Sequence, residues 1–184
     1  MTRVLEGWDY RLWSADKLWE LVASRGERIR KFYEELRWPI QKADFGRYII
    51  LSVYGGFYSD LDILLEKSLD PVLDHDLLFY TYHKNGRDYE IDFMGSAPEV
   101  PFWNDLIEMC MADYFAKKDL KIYDTWKNRF VMQTTGPYFF DRAIKKLNPP
   151  HSRLDLIESG ESRGSFGRNL RLHSWGGPEK ESVG

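Results

Sequence analysis

The chain has 184 residues, 43% of them hydrophobic and 16% aromatic, enough for a sizeable core in one domain. A net charge of −3 with no dense run of lysine or arginine leaves no nucleic-acid footprint, and no apolar run approaches the ~20 residues that cross a bilayer. The single cysteine, Cys110, excludes an internal disulfide and, within "LIEMCMADYF", reads as a buried structural thiol.

In chain order, "SADKLWELVASRGERIRKFYEEL" predicts two short helices broken near Gly26, with Ser14 as N-cap. Pro39 ends that unit, because the residue before a proline disfavours helix. From about Gln41 to Tyr54, Phe45, Tyr48, Ile49, Ser52 and Val53 recur at helical spacing, and Gly55-Gly56 supplies a C-cap and a tight exit. "FYSDLDILL" then reads as a strand, with "LLFYTYH", "EIDFMGS", "LDLIES" and "LRLHSW" as further short strands. Helices are expected from about Phe102 to Lys117 and from Pro137 to Leu147, each with a proline at its start. "YDTWKNRFVMQT" fits neither template. Strands alternating with helices imply an α/β domain with a mostly parallel sheet. Residues 1–40 are expected as an N-terminal helical part, 41–175 as the core and 176–184 as a flexible tail, all in one domain.

Three acids and an arginine frame the apolar stretch from Asp44 to Asp62. On a strand, Tyr58, Asp60 and Asp62 would share one face, and two carboxylates so close repel unless a cation or strong donors neutralise them. Oxygen ligands of this kind suit Mn²⁺ or Mg²⁺, which keep positions open for water and phosphate. Asp44 and Arg47, three apart on a helix, share a face. A plain role for them is an N-cap aspartate with a local ion pair; a ligand role is the binding of hydroxyl or phosphate oxygens. Seven tryptophans lean weakly toward sugar, which stacks on flat aromatic faces.

The order Asp44, Arg47, Leu51, Gly55, Gly56, Tyr58, Asp60, Asp62 resembles the Asp-x-Asp sugar-binding region of family 32 glycosyltransferases. That group includes initiating α-mannosyltransferases and capsular polysaccharide transferases, and it is similar to the catalytic domains of clostridial glucosylating toxins. "YRLWSADKL", "FMGSAPEVPFW", "TTGPYFFDRAI" and "LHSWGG" resemble further family segments in the same order. The resemblance implies a GT-A fold, a Rossmann-like nucleotide-sugar architecture, and metal-dependent retaining transfer of a hexose. The donor it implies is a nucleotide sugar, UDP-sugar favoured and GDP-mannose open, and the acceptor a hydroxyl on a glycan or protein.

By the same resemblance Asp44 and Arg47 would hold donor-sugar hydroxyls, and Tyr58 would line the nucleotide pocket. Asp60 would meet the ribose and a metal-bound water or the metal itself, and Asp62 would be the principal metal ligand. His173 would join metal or diphosphate, and Trp175 would offer its indole N–H to a diphosphate oxygen or serve the core. Asp92 would face the reacting carbon. His75, His83 and His151 read as surface or loop residues, and "HKNGRDY" (83–89) as an acceptor loop.

Family members usually carry a first strand upstream of their Tyr-x-Leu-Trp segment. Here Tyr10 stands nine residues after Met1, so either a compact version without that strand or a truncated chain is expected, with an exposed sheet edge open to association. A cytoplasmic location is expected, with any anchor outside this chain. Two rivals stand beside transfer: a nucleotide-sugar or glycan-binding module without turnover, and a Mg²⁺-dependent phosphohydrolase with Asp60 as nucleophile.

Overall fold

A computed structural model of the chain describes residues 6–81, 89–125, 127–154 and 166–170. Two short helices open it, α1 (Ala15–Ser24) and α2 (Glu27–Glu35). Ser14 caps α1 by accepting from the Lys17 N–H at 3.3 Å, and Gly26 turns the chain at φ 99° between the two. α2 buries Phe32 and Tyr33 and leaves its charged residues outside.

α3 (Pro39–Tyr54) begins two residues earlier than its periodicity suggests, because Pro39 sits at the first helical position where its fixed φ costs nothing. Every residue from Asp44 to Ser52 is buried. A helix wrapped on all sides can place polar groups in the core only where they find partners, and α3 carries Gln41, Asp44 and Arg47 there.

Gly55 closes α3 at φ 60°, and its N–H bonds the Leu51 carbonyl at 3.0 Å. A Cβ at Gly55 would lie 2.5 Å from the Pro98 nitrogen and 2.7 Å from the Ser96 carbonyl oxygen. Glycine is therefore demanded twice, by conformation and by the close approach of another backbone.

The remaining elements are β1 (Gly56–Ser59), β2 (Ile63–Leu65), β3 (Leu77–Thr81), β4 (Tyr89–Ser96), α4 (Phe102–Lys117), α5 (Ile122–Thr125), α6 (Lys127–Thr134), α7 (Pro137–Leu147), β5 (Ser152–Leu154) and β6 (Gly167–Asn169). α5 and α6 occupy the segment that fitted neither template. "LDLIES" lies outside the described residues except for Leu154, the last residue of β5. "LRLHSW" lies outside them except for Leu170, which follows β6.

The α/β expectation holds, but the sheet is not mostly parallel. Its order is β1-β4-β3-β5, antiparallel at β1/β4 and β3/β4 and parallel only at β3/β5. Parallel neighbours need a long crossover, and α4 to α7 supply it only before β5. β1 is an edge of this sheet, and among the described residues no strand precedes it.

The expected single strand "FYSDLDILL" is also two. β1 stops at Ser59, Asp60 to Asp62 form a turn, and β2 pairs with β6 in a separate two-stranded sheet. The Ile63 N–H reaches back to the Asp60 carbonyl at 3.1 Å. Aspartate is poor in strands and good in turns, and here that chemistry outweighs the flanking apolar pattern.

The sheet's two faces differ. Leu77 and Phe79 face the main core of α3, α4 and α7, while Leu78 faces a smaller cluster with Leu69, Phe93, Phe57 and Trp8. Tyr48 stands in the main core, its ring stacked on Phe140 at 5.8 Å, its hydroxyl donating to the Thr135 carbonyl at 2.7 Å. Cys110 is fully buried as expected, its thiol directed at the Thr134 carbonyl. Burial pushes that thiol well above its ordinary pKa, which suits an inert packing role.

Candidate active site

Arg47 is the hub. It lies in the middle of α3, 4% exposed, and its fork is spent in three directions. One terminal nitrogen donates to the Ile91 carbonyl at 2.8 Å and to Asp60 Oδ1 at 3.3 Å; the other donates to Asp44 Oδ1 at 3.0 Å. Its carbon centre lies 4.8 Å from the centroid of the Tyr58 ring. Tyr58 in turn donates its hydroxyl to Asp60 Oδ1 at 2.7 Å. One guanidinium thus ties α3 to β4 and to the turn that follows β1.

Asp44 sits one turn before Arg47 and is 2% exposed. It is interior to α3 rather than an N-cap, since the helix begins at Pro39; the local ion pair is present. Its second oxygen accepts from the Thr135 hydroxyl at 3.0 Å. Burial raises its pKa to about 6, against the opposing pull of Arg47 and Thr135, with the Asp60 charge adding to the rise. For Arg47, burial alone would favour proton loss, but Tyr58, Asp60 and Asp44 outweigh it and the group stays charged. Burial also pushes the Tyr58 hydroxyl upward, so it remains a donor.

Asp60 is the accessible member, its side chain 34% exposed. Its backbone N–H extends the β4 ladder by donating to the Asp92 carbonyl at 2.8 Å. Its Oδ1 is committed to Tyr58 and Arg47, which fixes the orientation of the carboxylate through a pair of donors. Asp62, partly buried, stands at the other end of the turn, and its carbonyl accepts from the Leu170 N–H at 2.7 Å. Leu170, three residues before His173 in the sequence, is thereby held against the carboxylate turn. His173 and Trp175 themselves lie outside the described residues, as do His83 and most of the stretch 83–89.

The structure thus brings together Asp44, Arg47, Tyr58 and Asp60 and places Asp62 two residues further along the turn. Asp92 is linked to the site through its backbone. His151 is engaged elsewhere, with the Tyr89 hydroxyl at 2.7 Å, and His75 lies in an exposed turn after the one-turn 3-10 helix Asp70–Val72. Thr135 was not among the expected site residues. The "TTGP" segment marked it only as a helix start, although an aspartate buried in a helix calls for a second donor.

Among the described residues no group of three histidine, cysteine or acidic side chains is arranged to hold a metal. The donor set nonetheless suits a hard divalent ion that takes most of its ligands from water and phosphate. Asp44 and Asp60 around Arg47 leave one net negative charge, and Asp62 makes it two.

Comparison with known proteins bears on this arrangement. Residues 3–79 match the family described as "glycosyltransferase sugar-binding region containing DXD motif". The chain carries a DXD-type glycosyltransferase region. That region contains α1 to α3, β1 and the Asp60–Asp62 turn, so the cluster around Arg47 is built largely within it.

Among curated relatives, mannosyl phosphorylinositol ceramide synthase SUR1 of Saccharomyces cerevisiae is 33% identical, over 90% of this chain and 40% of its own length. Inositol phosphoceramide mannosyltransferase 1 of Schizosaccharomyces pombe is 28% identical, over 94% of this chain and 53% of its own. The chain thus spans about half or less of these relatives. A solved structure, PaToxG glycosyltransferase, superposes with a TM-score of 0.48 at 16% identity over 64% of this chain and 39% of that one.

Proposed function

We propose that this DXD-type region binds a nucleotide sugar at the Tyr58–Asp62 turn and transfers its hexose to an acceptor hydroxyl, within a GT-A-type architecture. The observation that carries the reading is the Arg47 hub. A buried cation with a carboxylate on either side costs more than a packed apolar core, unless the fixed charges are put to use at the surface. Here that network orients a half-buried Asp60 carboxylate two residues from Asp62.

Asp60 and Asp62 are the residues that would hold Mn²⁺ or Mg²⁺, and such an ion would offset the negative charge gathering on the departing diphosphate. His173 is the third proposed ligand and Trp175 a proposed diphosphate contact. Asp44 acts from below, holding Arg47 in place. Arg47 Nε–H is buried with no acceptor among the described residues, so Arg47 is proposed to act on the donor sugar through the Asp60 carboxylate it orients. Tyr58 restrains Asp60 and lines the nucleotide side. Retention is proposed through front-face attack, with a leaving diphosphate oxygen taking the acceptor's proton.

The relatives' names favour mannose as the transferred hexose, which moves GDP-mannose ahead of UDP-sugars as donor. They also add an inositol phosphate lipid headgroup to the acceptors, beside a glycan or protein. The test is a thermal-shift panel of GDP-mannose and UDP-sugars with and without Mn²⁺. A metal-dependent rise in melting temperature with one donor is expected; no rise with any donor would overturn the reading. A binding module without turnover would give the rise but no donor hydrolysis, so the same samples are assayed for released sugar.

A further inference from the structure

From the geometry we infer that the turn joining α4 to α5, with the basic residues around it, is a docking surface for an anionic phospholipid bilayer. Leu120 and Ile122 are 49% and 53% exposed, and Phe115 on the last turn of α4 is 46% exposed. Their neighbour Tyr123, by contrast, is folded inward against Phe130 at 5.0 Å. Around them the charge is one-sided. From Phe115 to Arg129 five basic residues stand against two acidic ones, in a chain whose net charge is −3.

The tertiary structure gathers further cations to the same place. Arg37 donates to the Lys118 carbonyl at 2.8 Å and lies over the Phe130 ring. Lys127 lies over Trp38, whose ring packs on Phe130 at 5.7 Å. Lys118 lies over Phe115 at 5.0 Å. Of the nearby acids, Glu35 is engaged by Lys118 at 3.5 Å, and Asp113 by Lys117 and Arg142; Asp119 is exposed on the turn. Lys121, between the two exposed aliphatic residues, has no ion pair among the described residues. Exposed apolar side chains with basic groups beside them match a bilayer interface, where acyl chains lie beneath anionic headgroups.

Arg37 and Trp38 lead directly into α3, and Asp44 follows Pro39 by five residues, about 8 Å along the helix. Docking would therefore bring the carboxylate end of the molecule toward the membrane. That consequence rests on the proposed function; the docking itself does not.

The experiment is co-sedimentation of the chain with phosphatidylcholine vesicles, with and without about 30% phosphatidylserine. Binding to the anionic vesicles alone, released by salt, is expected. Lys121→Glu with Lys127→Glu should lower partitioning at least roughly thirtyfold. Leu120→Asp with Ile122→Asp should abolish it. All four side chains are exposed, so the melting temperature and any donor-induced shift should be unchanged, which separates this proposal from the previous one. Equal binding to both vesicle types, or wild-type binding by both variants, would overturn the inference. So would concentration-dependent self-association without vesicle binding, which would make the patch a protein contact.

Discussion

The Thr135 hydroxyl donates to Asp44 Oδ2 at 3.0 Å, joining the segment before α7 to the middle of α3 across 91 positions. Tyr48, one turn beyond Asp44 on α3, donates to the Thr135 carbonyl from the other side. Both bonds are buried, and together they hold the floor on which Arg47 and then Asp60 are set. The stability of the site and its charge state are therefore one problem, and each can be probed through the other.

Arg47→Met should leave the Asp44 carboxylate buried with only Thr135 as donor. A loss of about 3–5 kcal/mol in unfolding free energy is expected, read by urea denaturation at neutral pH. Arg47→Lys should recover only part of it, since an ammonium cannot serve Ile91, Asp44 and Asp60 with the geometry of a fork.

The pH dependence has a definite sign. Asp44 titrates near 6 in the folded chain against an ordinary 3.8, so between those values the native state holds a proton that the unfolded chain has released. Its contribution is fully present below about pH 4 and is lost as pH rises through about 6. Relative to Asp44→Asn, the wild type should lose stability over that window. Urea titrations of both proteins from pH 4 to 7 would show it, and parallel curves would refute it.

Removing Asp62 tests the proposed metal site without touching the Arg47 network. Asp62→Ala should abolish the Mn²⁺-dependent shift with nucleotide sugar, as EDTA should in the wild type. Tyr58→Phe should act differently. It removes the hydroxyl that turns Asp60, costs about 1 kcal/mol, and weakens the shift without eliminating it.

Gly55→Ala should be among the costliest single-methyl additions in the chain. The new Cβ would meet the Pro98 and Ser96 backbone, and the positive φ penalises any side chain. A loss of more than roughly 2 kcal/mol is expected by thermal or urea unfolding.

Much of the local structure was legible from the chain. Ser14, Gly26, Pro39, Pro101, Pro137 and Gly55 mark helix boundaries through properties each residue carries with it, and α4 and α7 begin and end where those signals put them. The candidate site was legible as a list, because Asp-x-x-Arg followed by Tyr-x-Asp-x-Asp is a dense set of charges in an apolar stretch. Its shape was not. Strand alternation put Tyr58, Asp60 and Asp62 on one face, whereas a turn begins at Asp60.

What the sequence by itself determined are the features that depend on near neighbours: caps, turns, helical periodicity and the presence of charges that need partners. Tertiary structure alone decided which partners they received. It set Thr135 on Asp44, Ile91 on Arg47, Leu170 on Asp62, and β4 antiparallel between β1 and β3. Those choices follow from burial. A charge inside the core must be met by whatever the fold brings within about 3 Å, and chain distance has no say in that.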